Sequence, residues 1–125
     1  MNTSAKREAL LVFAEEIQSH KDWWLFPAEG LVQGFMGTGP IFIVGDQPSK
    51  SEWPSEHPNR RAFYGLIGKL GVSNAHLTDL YKKRGKCGAL KAGLPDDFHE
   101  HVRLFRKEIE ILQPTQIVAL GNLAY

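Results

Sequence analysis

Cysteine is almost absent: Cys87 is the only one in 125 residues. That count excludes an internal disulfide, a cysteine-built zinc site and a four-cysteine iron–sulfur cluster. Reducing, intracellular surroundings are the default for such a chain. No apolar run is long enough to cross a bilayer, and the N-terminal residues hold no signal-peptide h-region. A cytoplasmic protein with no membrane partner is therefore expected. Neither sign of charge is in excess, since 15 Lys and Arg stand against 14 Asp and Glu. A net charge of +1 names no partner by itself. Also missing are a Gly-x-Ser-x-Gly elbow, a P-loop and a Gly-x-Gly-x-x-Gly turn after any strand-like run. Nothing implies a cofactor.

What is present fits one compact domain. Apolar residues make up 42% of the chain, enough to build a core. Charge is uneven along the sequence. Lys82, Lys83, Arg84, Lys86 and Lys91 crowd one stretch, and Lys50, Arg60 and Arg61 form a second group. A nearly neutral chain can still carry a basic face in this way. His99 and His101 lie two apart on an expected helix and face different ways, so they do not form a shared metal site.

The chain reads as a helix followed by β-α-β-α-β. Thr3 or Ser4 can cap a first helix to about Trp24, with Leu10, Leu11, Ala14 and Ile17 at helical spacing. The cluster Trp23, Trp24, Leu25 and Phe26 reads as a lid over the core. GFMGTGP, residues 34–40, is turn chemistry. Ile41 to Val44 is a short apolar run of the kind buried on both faces of a parallel sheet. Phe63, Leu66, Ile67 and Leu70 share a helical face that Gly71 ends. His76 to Leu80 reads as a second strand. Pro95 and Asp96 open a long helix with Val102, Phe105, Ile109 and Leu112 on one stripe, and Pro114 breaks it. Gln116 to Leu120 reads as a third buried strand. This order predicts an α/β domain over residues 1–125, three-layered α/β/α around a central parallel sheet. Residues 1–39 supply the helix and lid, and residues 40–125 the core. Ligands of such sheets sit beyond the carboxyl ends of the strands, here the loops that begin at Gly45, Leu80 and Gly121.

Four stretches carry a family resemblance. Gly45-Asp46-Gln47-Pro48 after a strand resembles the first motif of the uracil-DNA glycosylase superfamily. His57-Pro58-Asn59-Arg60 with Phe63-Tyr64 is similar to the His-Pro-x-Asn-Arg-Phe-Trp stretch of its mismatch-specific uracil and thymine branch. Leu77-Thr78-Asp79-Leu80 and the basic turn after it resemble that branch's second strand. Gln113-Pro114 followed by IVALGNLAY is similar to its Gln-Pro, apolar strand and Gly-Lys-x-Tyr segment. Together they cover residues 40–125 in the family's order.

The resemblance implies removal of a uracil-like or mispaired base from DNA, flipped from the stack into a pocket. It assigns Asp46 and Gln47 to the catalytic position. It assigns Gly45, Pro48, Ser49, Phe63, Tyr64 and Asp79 to the base, with Phe63 as the stacking ring and Asp79 at the position that reads the base edge. Lys50, Asn59, Arg60, Lys82, Lys83 and Arg84 are the implied DNA contacts of a monomer. Three departures set this chain apart. Gln47 stands where several branches have Asp or Asn, and Asp79 stands where many have Asn. An ionised Asp79 only accepts hydrogen bonds and would favour a base presenting donors. The family's second motif, a His-Pro-Ser or Asn-Pro-Ser loop, is expected past Tyr125, so the 125 residues read as a fragment or a shortened member. A non-catalytic nucleic-acid or nucleotide-binding module is the alternative.

Overall fold

The computed structural model describes residues 2–48, 56–85 and 93–120. Ser49, Lys50, Lys86, Cys87, Lys91 and the turn at Gly121 lie outside the described residues.

Helix α1 spans Thr3–Gln18. Its cap is Asn2, whose Oδ1 accepts the Ala5 N–H at 2.8 Å, and not Thr3 or Ser4. The helix ends six residues before Trp24 because the chain turns at His20 to Asp22, where Asp22 takes a φ of 68°. A short 3-10 turn, Gly34–Met36, leads into strand β1, Ile41–Gly45. Helix α2 covers Pro58–Lys69 and strand β2 covers His76–Asp79. Helix α3 runs over Phe98–Leu112, stopped by Gln113 in the left-handed region at φ 48°. Strand β3 is Gln116–Ala119. The strands pair in the order β2-β1-β3, both pairs parallel, as the alternation of elements predicts. No described helix is long and apolar enough to cross a membrane.

Alternation along β1 divides the core. Phe42 and Val44 join Leu10, Phe13, Ala14 and Ile17 of α1 and Leu104 and Leu112 of α3. Ile43 joins Tyr64 and Ile67 of α2, with Leu77 of β2. Successive side chains of a strand point to opposite faces, so α1 and α3 cover one side of the sheet and α2 the other. This arrangement is compatible with a three-layer α/β/α sandwich.

Several expected faces are rotated. In α1 Leu10, Ala14 and Ile17 are buried as expected, and Phe13 takes the place of Leu11, which is exposed. In α2 the buried residues are Tyr64 and Ile67; Leu66 and Leu70 point to solvent. The centre of α3's buried face is Leu104 flanked by His101 and Glu108. Val102, Phe105 and Ile109 pack at its margin. Strand β3 is an edge strand and not a buried one, with Ile117 and Val118 open to solvent. Among the described strands it pairs with β1 alone.

Candidate functional site

Three local features shape a cavity at the carboxyl ends of β1 and β2. The first is register. Gly45 is the partner of Asp79, so both fall on the α2 side of the sheet together with Ile43 and Leu77. A Cβ on Gly45 would lie 2.6 Å from Asp79 Oδ1. Only glycine leaves room for the Asp79 carboxyl to lean across its neighbouring strand.

The second feature is the segment after α1. It runs beside the residues that follow β2: Trp24 N–H donates to Lys82 O at 2.9 Å, and Arg84 N–H donates to Asp22 O at 2.7 Å. Gly34, at φ 66°, lets the chain turn closely under Phe26 and Pro27; a Cβ there would lie 2.5 Å from two of their carbonyl oxygens. Trp24 and Phe26 are thereby carried over the end of the sheet.

Helix α2 is the third. His57 caps it, with Nδ1 accepting the Asn59 N–H at 3.2 Å, and Pro58 suits its first position. Tyr64 is anchored by its hydroxyl, which donates to Pro27 O at 2.9 Å. Phe63 lies 5.9 Å from Phe26 and 5.8 Å from Tyr64 between ring centroids.

The result is a cavity of about 320 Å³ with an aromatic wall of Trp24, Phe26, Phe63 and Tyr64. Its polar lining comes from Gln47, Asn59, Arg60, Asp79 and Arg84, with Gly45 and Pro48 beside them. Both guanidinium groups sit over rings, Arg84 at 5.1 Å from Trp24 and Arg60 at 5.6 Å from Tyr64. Arg60 also pairs with Glu29 at 3.3 Å. Gln47 is held by its side-chain amide, which donates to Lys83 O at 3.3 Å. Cavities of this size fall at the small end of ligand sites, and aromatic walls with a few polar groups are their usual lining.

Asp79 is the only carboxylate among the described lining residues, and it is 5% exposed. Burial pushes its carboxyl up to about 7, helped by Glu108 and Asp46 and opposed by Lys82 and Arg84. No described group hydrogen-bonds its Oδ2.

A buried charged cluster lies on the opposite face of the same strand. The Lys82 ammonium meets Glu108 Oε2 at 2.6 Å, Asp79 main-chain O at 2.7 Å and Thr78 Oγ1 at 3.3 Å. Glu108 Oε1 meets His76 Nε2 at 2.7 Å, and His76 Nδ1 faces Phe35 O at 2.6 Å. Burial alone would raise the Glu108 carboxyl; Lys82 and His76 outweigh it and hold the group below its ordinary value. His101 accepts the Lys82 main-chain N–H at 3.0 Å and packs against Trp23 and Tyr81.

The cavity gathers nine residues that the sequence singled out: Gly45, Gln47, Pro48, Asn59, Arg60, Phe63, Tyr64, Asp79 and Arg84. Lys83 is exposed beside it. Two expectations change. Lys82 is wholly buried, so it cannot contact DNA at the surface; its ammonium is drawn inward by Glu108. Asp46 sits next to the cavity but does not line it; its main-chain O accepts the Tyr81 N–H at 2.9 Å. Trp24 and Phe26 join the wall without having been assigned to it. The run of aromatics before Pro27 was their only signal. Comparison with protein-family models and with curated proteins gives no match.

Proposed function

We propose that the protein is a base-excision glycosylase, acting as a monomer in the cytoplasm, which hydrolyses the N-glycosidic bond of a uracil-like or mispaired base in DNA. The observation that carries this reading is the cavity itself, a small aromatic-walled pocket with one buried carboxyl at the ends of parallel strands. A base turned out of a duplex needs ring faces to replace its stacking and polar groups to read its edge. Phe63 and Tyr64 supply the first and Asp79 the second. Arg60, Arg84 and exposed Lys83 supply positive charge at and beside the cavity, suited to a phosphate backbone.

In hydrolysis the C1′–N bond breaks as a C1′–O bond forms from water, and the water's proton leaves with the departing base. The Gln47 amide can orient that water. The sugar carries oxocarbenium character in the transition state, and the base departs as an anion that positive charge stabilises. Wild-type protein should therefore release uracil from a uracil-containing oligonucleotide, leaving an abasic site. Phe63→Ala should lower the rate at least tenfold by removing the stacking face. Absence of abasic product across a panel of uracil, mismatched and damaged bases, with folded protein, would overturn the reading.

One observation favours a binding module without catalysis: Gln47 cannot accept a proton, and its amide already bonds Lys83 O. That reading predicts saturable, salt-dependent binding of the same oligonucleotides with no abasic product.

A further inference from the structure

Asp79 faces the cavity from the carboxyl end of β2, opposite the bare Cα of Gly45. Its Oδ2 is buried and has no hydrogen-bond partner among the described residues. An ionised carboxylate in that position is costly, because burial removes its water and no described group gives Oδ2 a hydrogen bond in exchange. Lys82 is the cation that most favours its ionisation, but burial outweighs it. The Lys82 ammonium donates to Thr78 Oγ1 and the Asp79 main-chain O and forms an ion pair with Glu108 Oε2; none of these contacts is to the Asp79 carboxyl.

The charges around Asp79 come from every side. Glu108 acts on it from α3 across the sheet and Asp46 from beyond the end of β1, and both disfavour ionisation. Arg84, from the segment after β2, favours it. Arg60 reaches the same cavity from α2 but is paired with Glu29. Burial dominates the balance.

We propose, resting on the base-pocket reading above, that Asp79 meets its ligand as a neutral carboxylic acid. It gives one hydrogen bond and takes another from a ring edge that carries an N–H beside a C=O, the edge of uracil or thymine. A neutral carboxylic acid offers a hydroxyl donor and a carbonyl acceptor side by side, the same pair as an amide. The ionised form offers acceptors alone and opposes the ligand's C=O. Base binding is therefore coupled to protonation of Asp79, and the site discriminates against an imide base once that proton is lost. Sequence reasoning assumed an ionised Asp79 and favoured a base presenting donors; burial reverses the preference.

The test is calorimetric titration of the wild-type protein with uracil at pH 6 and pH 8, in buffers of different ionisation enthalpy. With the carboxyl titrating at about 7, the binding-competent fraction falls from ~0.9 to ~0.1 over that interval. The apparent Kd should then rise about tenfold, with close to one proton taken up per uracil at pH 8. At pH 6, 3-methyluracil, which lacks the N–H, should bind about tenfold more weakly. Asp79→Asn keeps the donor and acceptor pair, so it should bind uracil equally at both pH values with no proton uptake. Wild-type affinity that is the same at pH 6 and pH 8, without proton uptake, would overturn the neutral-acid inference and leave the base pocket standing. No uracil binding at either pH, by protein with a native near-ultraviolet spectrum, would overturn both.

Discussion

Asp79 stores a stability cost that varies with pH. The folded chain binds its proton more tightly than an unfolded chain does, since burial lifts the carboxyl from 3.8 to about 7. Below about pH 4 both states are protonated and the group costs nothing. Between about pH 4 and pH 7 only the unfolded state ionises, and stability falls by about 1.4 kcal/mol per pH unit from this group. Above about 7 both states are ionised and the loss levels off. Thermal melts should accordingly show Asp79→Asn gaining on wild type from pH 4 to pH 7, with a constant difference beyond. A difference that ignores pH would mean that Asp79 titrates normally. Glu108 behaves in the opposite way, because it is buried as a charge between Lys82 and His76. Glu108→Gln removes the partner of a buried ammonium and should cost ~3–5 kcal/mol in chemical denaturation.

At the scale of elements, the order of helices and strands was legible because its signals are local. An apolar run of four residues marked β1, and Gly71 marked the end of α2 with a φ of 72°. Helix faces were less legible. In α2 the sequence offers Phe63, Leu66, Ile67 and Leu70 as an apolar stripe, but the sheet is met by Tyr64 and Ile67. Tyr64 wins burial because its hydroxyl finds Pro27 O, a partner that no local pattern reveals. Ile67→Ala should cost ~2–5 kcal/mol. Leu66→Lys, on the exposed side, should stay within about 0.5 kcal/mol of wild type by the same denaturation measurement. In α3 the polar residues His101 and Glu108 are buried on either side of Leu104. Hydrophobic periodicity cannot find such positions, because their partners Lys82 and His76 are distant in sequence. The same long-range pairing hid the burial of Lys82. Of the site, the strand-end loop and the Phe63-Tyr64 pair were legible as motifs. Trp24 and Phe26 were not, since the antiparallel run of residues 22–24 beside 82–84 and the close turn at Gly34 bring them to the cavity.

For the molecule as a whole, a net charge of +1 conceals a division of labour among its cations. Lys82 is spent inside the fold, whereas Lys83 is exposed and Arg84 lines the cavity. Lys83→Ala should weaken oligonucleotide binding for all sequences alike and lower the salt slope by about one. Lys82→Ala should instead destabilise the fold, since it leaves Glu108 buried without its cation. The central claim is that the cavity beside Asp79 holds a single base. The most direct measurement is an NMR titration with a short single-stranded DNA carrying one uracil, made resistant to cleavage by a 2′-fluorine. The account predicts contacts from the uracil H5 and H6 protons to the rings of Phe63, Tyr64 and Trp24, with shifts at the Gly45 and Asp79 amides. Shifts confined to exposed lysines, with no base-to-ring contact, would contradict it.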